Sequence, residues 1–196
     1  MFHVVYLTGA PAAGKSTTAK LLAARVSPVE VFEYGERLRA YLAGRNGTGL
    51  AQADLRRESA RRITPADVEA VDAILLEFAA EARERSHVII DSHPVTKEDF
   101  GFRITPFALD QFAKLRPTQV WVLYASPEAT MQRIALDGQG RPTITEAEAA
   151  LHTQLQASVA ATYGMRVGTA IHLFDTSRAS PDEIADMLAA KLSRSS

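Results

Sequence analysis

Lys15 and Ser16 close the run Gly9-Ala10-Pro11-Ala12-Ala13-Gly14-Lys15-Ser16, which has the spacing G-x-x-x-x-G-K-[ST]. The chemistry open to such a run is phosphate binding. Glycines let the backbone turn tightly and approach an anion, and the N–H groups at a helix N-terminus then hold it. A lysine in the Lys15 position reaches the β- and γ-phosphates of a nucleoside triphosphate. The Ser16 hydroxyl ligates Mg²⁺. The expected nucleotide cradle is Gly9, Ala10, Pro11, Ala12, Ala13, Gly14, Lys15, Ser16 and Thr17, with ATP and Mg²⁺ as cofactors. A second group with this chemistry is Asp91, at the end of the apolar run His87-Val88-Ile89-Ile90. A carboxylate there suits a Mg²⁺ ligand, direct or through water, so Ser16 and Asp91 are the expected metal pair.

These groups need a strand before the cradle, a helix after it and a second strand ending at Asp91. The sequence predicts all three. Phe2–Leu7 is β-branched and aromatic and reads as a buried strand. Ala13–Val26 has apolar residues at helical spacing. Further strands are predicted at Val29–Phe32, His87–Ile90, Thr118–Tyr124 and Ala170–Phe174. Helices are predicted at Gly35–Ala43 (ended by Gly44), Gln52–Arg62, Pro65–Arg85 and Pro106–Leu115, from Ser126 to about Leu136, from Thr145 to about Gly164, and from Ser180 onward. Thr64 caps one of these with Pro65 at its first position, and Thr145 with Glu148 forms a capping box. Ser92–Thr105 reads as irregular, and Asp137–Thr143 as a turn-rich hinge or lid. Alternating strands and helices imply a parallel sheet covered on both faces, with ligands at the carboxyl ends of its strands. The expected fold is a three-layer α/β/α P-loop sandwich with a five-stranded parallel sheet and a short lid. It forms one domain over residues 1–196, with an acceptor-binding insertion at about 34–85 and a lid at about 137–145.

Composition excludes several alternatives. The 196 residues are 46% hydrophobic and 23% charged, as in ordinary globular chains. Without cysteine there is no disulfide, thiolate metal site or cysteine nucleophile. A net charge of −1 gives no global drive toward nucleic acid or membranes. The apolar N-terminal run is too short for a signal peptide or a membrane span, so a soluble, cytoplasmic protein is expected. Seventeen arginines against five lysines mark a compositional habit, so surplus arginines do not by themselves indicate phosphate binding. Arg56-Arg57 and Arg61-Arg62, interleaved with Asp54 and Glu58, read as a solvated helix rather than an RNA surface.

The chain resembles the small P-loop nucleoside monophosphate kinases, and most closely the archaeal-type adenylate kinases. The resemblance is carried by Gly9–Thr17, Phe32-Glu33-Tyr34-Gly35, Asp91-Ser92-His93 with Lys97 and Gly101-Phe102, and Thr162-Tyr163-Gly164 with Gly168. It implies phosphoryl transfer from MgATP to a nucleoside monophosphate, AMP first. It also implies an acceptor site holding Tyr34, Gly35, Arg39, His93 and Lys97. Gly35 followed four residues later by Arg39 is similar to the monophosphate-binding segment of the wider adenylate kinase family, and a guanidinium fork binds phosphate oxygens bidentately. Lys15, Asp91, Arg133 and the lid residue Arg141 are the implied catalytic set, the arginines stabilising charge on the transferring phosphoryl. The partner is then a small-molecule phosphate acceptor. Archaeal members are often trimeric, but no interface is legible in this sequence.

The chain also departs from that pattern. Arg141 is the only arginine of its lid segment, and Ala157 aligns where the archaeal kinases carry another. Glu33-Tyr34-Gly35 replaces an Asn-Tyr-Gly. Arg103 or Arg166 could supply the missing charge. Two other readings stay open. In one the acceptor is a small alcohol, with Glu33, Glu36 or Asp91 taking its proton. In the other the chain is an ATP-binding or ATPase module that works on a protein or RNA partner.

Overall fold

A computed structural model describes residues 2–46, 63–136 and 143–193. The central sheet contains β1 (Val4–Gly9), β2 (Val29–Glu33), β3 (His87–Asp91), β6 (Gln119–Tyr124) and β7 (Ile171–Asp175). All neighbours run parallel, in the order β2-β3-β1-β6-β7. The helices are α1 (Lys15–Arg25), α2 (Tyr34–Asn46), α3 (Pro65–Ala82), α4 (Leu109–Leu115), α5 (Pro127–Leu136), α6 (Glu146–Val167) and α7 (Pro181–Ser193).

The five predicted strands form at β-branched and aromatic runs; the central three, β1, β3 and β6, are buried on both faces, and the edge strands β2 and β7 are only partly covered. Alternate residues of β1 serve opposite layers. Tyr6 packs with Phe32, Leu75, Phe112 and Tyr163 toward α3, α4 and α6. Leu7 packs with Leu22, Trp121, Ile184 and Leu188 toward α1 and α7. That alternation makes the three layers. Phe112 stacks on Tyr163 with ring centroids 4.2 Å apart, and the Tyr163 hydroxyl accepts the Phe107 N–H at 2.6 Å. Loop, helix and sheet are therefore tied together at this point.

Two helix starts are locally encoded. Thr64 and Asp67 bond reciprocally, side chain to backbone, at the head of α3; Thr145 and Glu148 do the same for α6. The first box is joined by an ion pair from Arg45, at the end of α2, to Asp67.

The structure corrects four local expectations. Ser92–Thr105 is not irregular: it contains an antiparallel hairpin, β4 (Val95–Glu98) and β5 (Gly101–Ile104). Its strands have four residues each and are mostly polar, so no alternating pattern announces them. The helix expected to stop at Gly44 continues to Asn46, because one glycine costs a helix only about 1 kcal/mol. The helix expected from Pro106 begins at Leu109, and α3 ends at Ala82 rather than Arg85. The helix expected over Gln52–Arg62 and nearly all of the lid segment, Arg141 included, lie outside the described residues.

Candidate active site

Strand order reverses around β1, whose neighbours β3 and β6 belong to later parts of the chain. Such a crevice at the carboxyl ends of the strands is where ligands bind in open α/β sheets. The P-loop leaves β1 at this point. Gly9 passes so close to β6 that a Cβ there would overlap the Leu123 carbonyl. Gly14 caps α1 in the left-handed conformation (φ 85°), which glycine adopts without strain. Ala12 also has positive φ (63°), a conformation that costs a non-glycine residue roughly 1–2 kcal/mol. Strain of this kind persists where surroundings hold it in place.

Arg133, on α5, supplies part of that hold. Its Nη1 donates to the Ala12 carbonyl at 3.1 Å and to Thr176 Oγ1 at 3.0 Å, and its Nη2 donates to the Thr176 carbonyl at 2.6 Å. The residue expected as a transition-state cation thus braces the strained P-loop residue against the loop after β7. Removing it would leave partly buried carbonyls without donors, at about 1–3 kcal/mol each. Arg133→Lys should therefore raise the apparent KM for ATP about tenfold or more and lower Tm by a few degrees. Initial-rate kinetics with ATP varied, beside a thermal melt, check this; an unchanged KM would show that the brace does not matter.

Lys15 is half-buried and donates to the Gly9 carbonyl at 2.8 Å. Ser16 and Thr17 are exposed on the first turn of α1 and line the same cavity. Asp91 ends β3, only 7% exposed, and its Oδ1 has no hydrogen-bond partner. Burial pushes its carboxyl above the usual carboxylate range. The Lys15 ammonium opposes this shift and Glu33 adds to it. Glu33 ends β2 directly opposite Asp91 in register. An orphaned, buried carboxylate oxygen beside a phosphate cradle fits a hard divalent cation. Mg²⁺ at phosphate sites takes one or two protein oxygens and completes its shell with phosphates and water. Ser16 and Asp91 both line the cavity and carry oxygens that could serve such an ion.

The cavity is about 700 Å³ and extends from the P-loop to α2 and α3. That is within the range of small-molecule sites, roughly 300–1,000 Å³. Tyr34, Gly35, Arg39, His93 and Lys97 all line it. A Cβ on Gly35 would lie 3.8 Å from His93 Cε1, so the head of α2 meets the segment after Asp91. Arg39 is half-buried and is given no carboxylate by the described residues, whereas its neighbour Arg37 lies over the Phe32 ring. Lys97 is more committed: it pairs with Glu148 of α6 at 3.2 Å and donates to the Glu98 carbonyl at 3.0 Å. Of the two substitute arginines, Arg103 lines the cavity and pairs with Glu98 at 3.1 Å. Arg166 is exposed and pairs with Asp110.

Sequence reasoning gives no site role to Asp72 or to His152, the latter a position that also matches the archaeal-type kinases. His152 is buried, with Nε2 3.0 Å from the Val95 carbonyl. Asp72 receives the Tyr34 hydroxyl at 2.6 Å. Its only sequence signal is a polar residue within the otherwise apolar face of α3.

The AAA_17 family model, described as an AAA domain, matches residues 8–150, from the P-loop into the first turn of α6. The chain belongs to the AAA_17 family. No curated protein sequence matches it significantly. Solved structures extend the likeness of this AAA_17 chain over nearly its whole length. A putative kinase from Chloroflexus aurantiacus j-10-fl is 15% identical, with 98% of this chain and 99% of that chain covered and a TM-score of 0.59. A sugar kinase from Janibacter sp. HTCC2649 is 16% identical (98% and 96% covered, TM-score 0.58). Shikimate kinase from Acinetobacter baumannii, in complex with shikimate, is 15% identical (96% and 91% covered, TM-score 0.54). At these identities the likeness shows the fold, the α/β P-loop kinase fold with a five-stranded parallel sheet. No helix among the described residues is long and apolar enough to cross a membrane.

Proposed function

We propose that this AAA_17 protein is an ATP-dependent kinase that transfers the γ-phosphoryl of MgATP to a nucleoside monophosphate, with AMP as the first acceptor. The observation that carries this reading is Arg39. It is a half-buried guanidinium that lines the cavity opened by the P-loop and pairs with no carboxylate of the described residues. Such a group asks for an anion with two oxygens. Leu38, Ile63, Val68 and Phe107 line the same cavity and suit the flat apolar faces of a base. Lys15 neutralises charge on the transferring group. Ser16 and Asp91 would hold Mg²⁺, which supplies further charge neutralisation at the phosphates when bound. No general base is needed, because the acceptor phosphate oxygen is already an anion.

³¹P NMR of the protein with MgATP and each monophosphate in turn, beside a no-acceptor control, tests the reading. ADP and a new diphosphate from AMP are expected; no transfer to any monophosphate would sink it. Arg39→Gln should raise the acceptor KM about ten- to a hundredfold and leave the ATP KM within about twofold. Loss of both affinities together would place Arg39 elsewhere.

One observation favours a second reading, transfer to the hydroxyl of a small alcohol. Glu33 and Asp91 are paired carboxylates at the ends of adjacent strands, beside Lys15. One of them could take a hydroxyl proton while the other serves the metal. Glu33, in register with Asp91, is better placed for this than the exposed Glu36. Phosphorylation of a polyol or hydroxy acid, abolished in Glu33→Gln, would establish it.

A further inference from the structure

Asp72 is a carboxylate that phosphoryl transfer does not use. It lies on α3 one turn beyond Val68 and lines the cavity with Tyr34, Leu38 and Phe107. It is only 8% exposed. Its Oδ1 accepts the Tyr34 hydroxyl, and no lysine, arginine or histidine of the described residues pairs with it. The titratable groups around it are Glu69 on its own helix, Tyr34 from α2, Tyr6 from β1 and Tyr163 from α6. None brings a positive charge. Burial pushes its carboxyl up to about 6, against the opposing bond from Tyr34.

An ionised carboxylate only accepts hydrogen bonds, and it can take several. Tyr34 supplies one donor to Oδ1, which leaves this cavity-lining carboxylate with capacity for more. Packing alone does not call for a charge here, since an amide or an aliphatic side chain would fill the space without desolvating one. The cavity is otherwise apolar on this wall, so the missing donor is one that a bound molecule brings.

We propose that Asp72 reads the acceptor base, selecting a nucleoside monophosphate whose ring carries an exocyclic amino group over one with a carbonyl at that position. This rests on the nucleoside monophosphate reading of the acceptor. Arg39 on α2 takes the phosphate and leaves the ring end of the molecule to α3. An amino group donates to the carboxylate. A carbonyl in its place sets oxygen against oxygen, and the ring N–H that comes with it lies one position away, so the same pose leaves the carboxylate unsatisfied, which discriminates more strongly than a difference in size does.

The test uses pairs in which an amino group beside an accepting ring nitrogen is replaced by a carbonyl beside a ring N–H: AMP against IMP, and CMP against UMP. Wild-type protein should favour the amino member of each pair in kcat/KM by about tenfold or more. Asp72→Asn, whose amide can also donate to a carbonyl, should shrink that ratio about tenfold, with the ATP KM unchanged within twofold. An unchanged ratio in a variant that still transfers phosphate would overturn the role of Asp72 and leave the kinase reading standing. Absence of transfer to every monophosphate by wild-type protein would overturn both. A second measurement needs no variant. Because AMP and IMP share the same phosphate, its titration cancels in their ratio. That ratio should fall as pH drops through about 6, where protonation turns Asp72 into a donor. A ratio flat between about pH 5 and 8 would count against the proposal.

Discussion

Lys15→Met should lower phosphoryl transfer about a thousandfold while the protein stays folded. The size follows from removing a fixed positive charge from the place where charge on the transferring phosphoryl must be stabilised; a single neutral donor in such a position is already worth about 10²–10³. The fold should survive. Lys15 is half-buried, lines the open cavity, and donates to the carbonyl of Gly9. A second consequence is electrostatic. Lys15 is the group that holds the Asp91 carboxyl down against burial and against Glu33. Its loss should push Asp91 further toward its protonated form and weaken Mg²⁺ binding as well. Transfer followed by ³¹P NMR, with a Mg²⁺ titration beside it, checks both effects. A loss of less than about tenfold would mean that the lysine does not serve the reacting phosphate.

Asp91→Asn should have effects of opposite sign on activity and stability. Activity should fall about 10²–10³-fold, because an amide is a poor ligand for Mg²⁺ and carries no charge. Stability should rise. Asp91 is buried with an unsatisfied oxygen, and its folded pKa lies above its unfolded value of 3.8. The folded state therefore holds a proton more tightly than the unfolded state does. Wild-type stability is then highest at pH below 3.8 as far as this group is concerned, and it declines as pH rises through the raised folded value. The asparagine variant is free of that decline. At neutral pH it should melt about 2–4 °C higher, the equivalent of roughly 1 kcal/mol in a domain of this size. The two proteins should converge in mildly acid solution. Melts at several pH values, without nucleotide, decide it: a destabilised variant at neutral pH would show that the carboxylate is a structural element. The expected trade of stability for function is common where a site needs a charge that the fold does not.

Much of this site was legible because its determinants are local. The P-loop is eight consecutive residues with one purpose each. The strand ending at Asp91 is a histidine, three apolar residues and an acid. Thr64 and Thr145 announce their helices through partners three residues away. The features that were not legible depend on residues far apart in the chain. The β4–β5 hairpin is held against α6, where His152 and Gln156 both reach the Val95 carbonyl, and nothing within Val95–Ile104 reports those partners. The sequence marks Arg133 as a cation for the phosphoryl group but does not report its bonds to Ala12, 121 positions away, and to Thr176. Asp72 became visible only when Tyr34 was placed against it across a gap of 38 residues. Sequence pattern reports the frame and the donor side. The far wall of the cavity is assembled from pairings between α2, α3 and the segment after β3, and those are tertiary facts.

The ion pair between Arg45 and Asp67 has an evolutionary side. It ties the end of α2 to the head of α3 across 22 positions of sequence. The same Asp67 carboxylate completes the Thr64 capping box. Asp67 therefore answers to two selective constraints at once, and an exchange that spares one contact still breaks the other. The two helices that border the cavity inherit that restraint together.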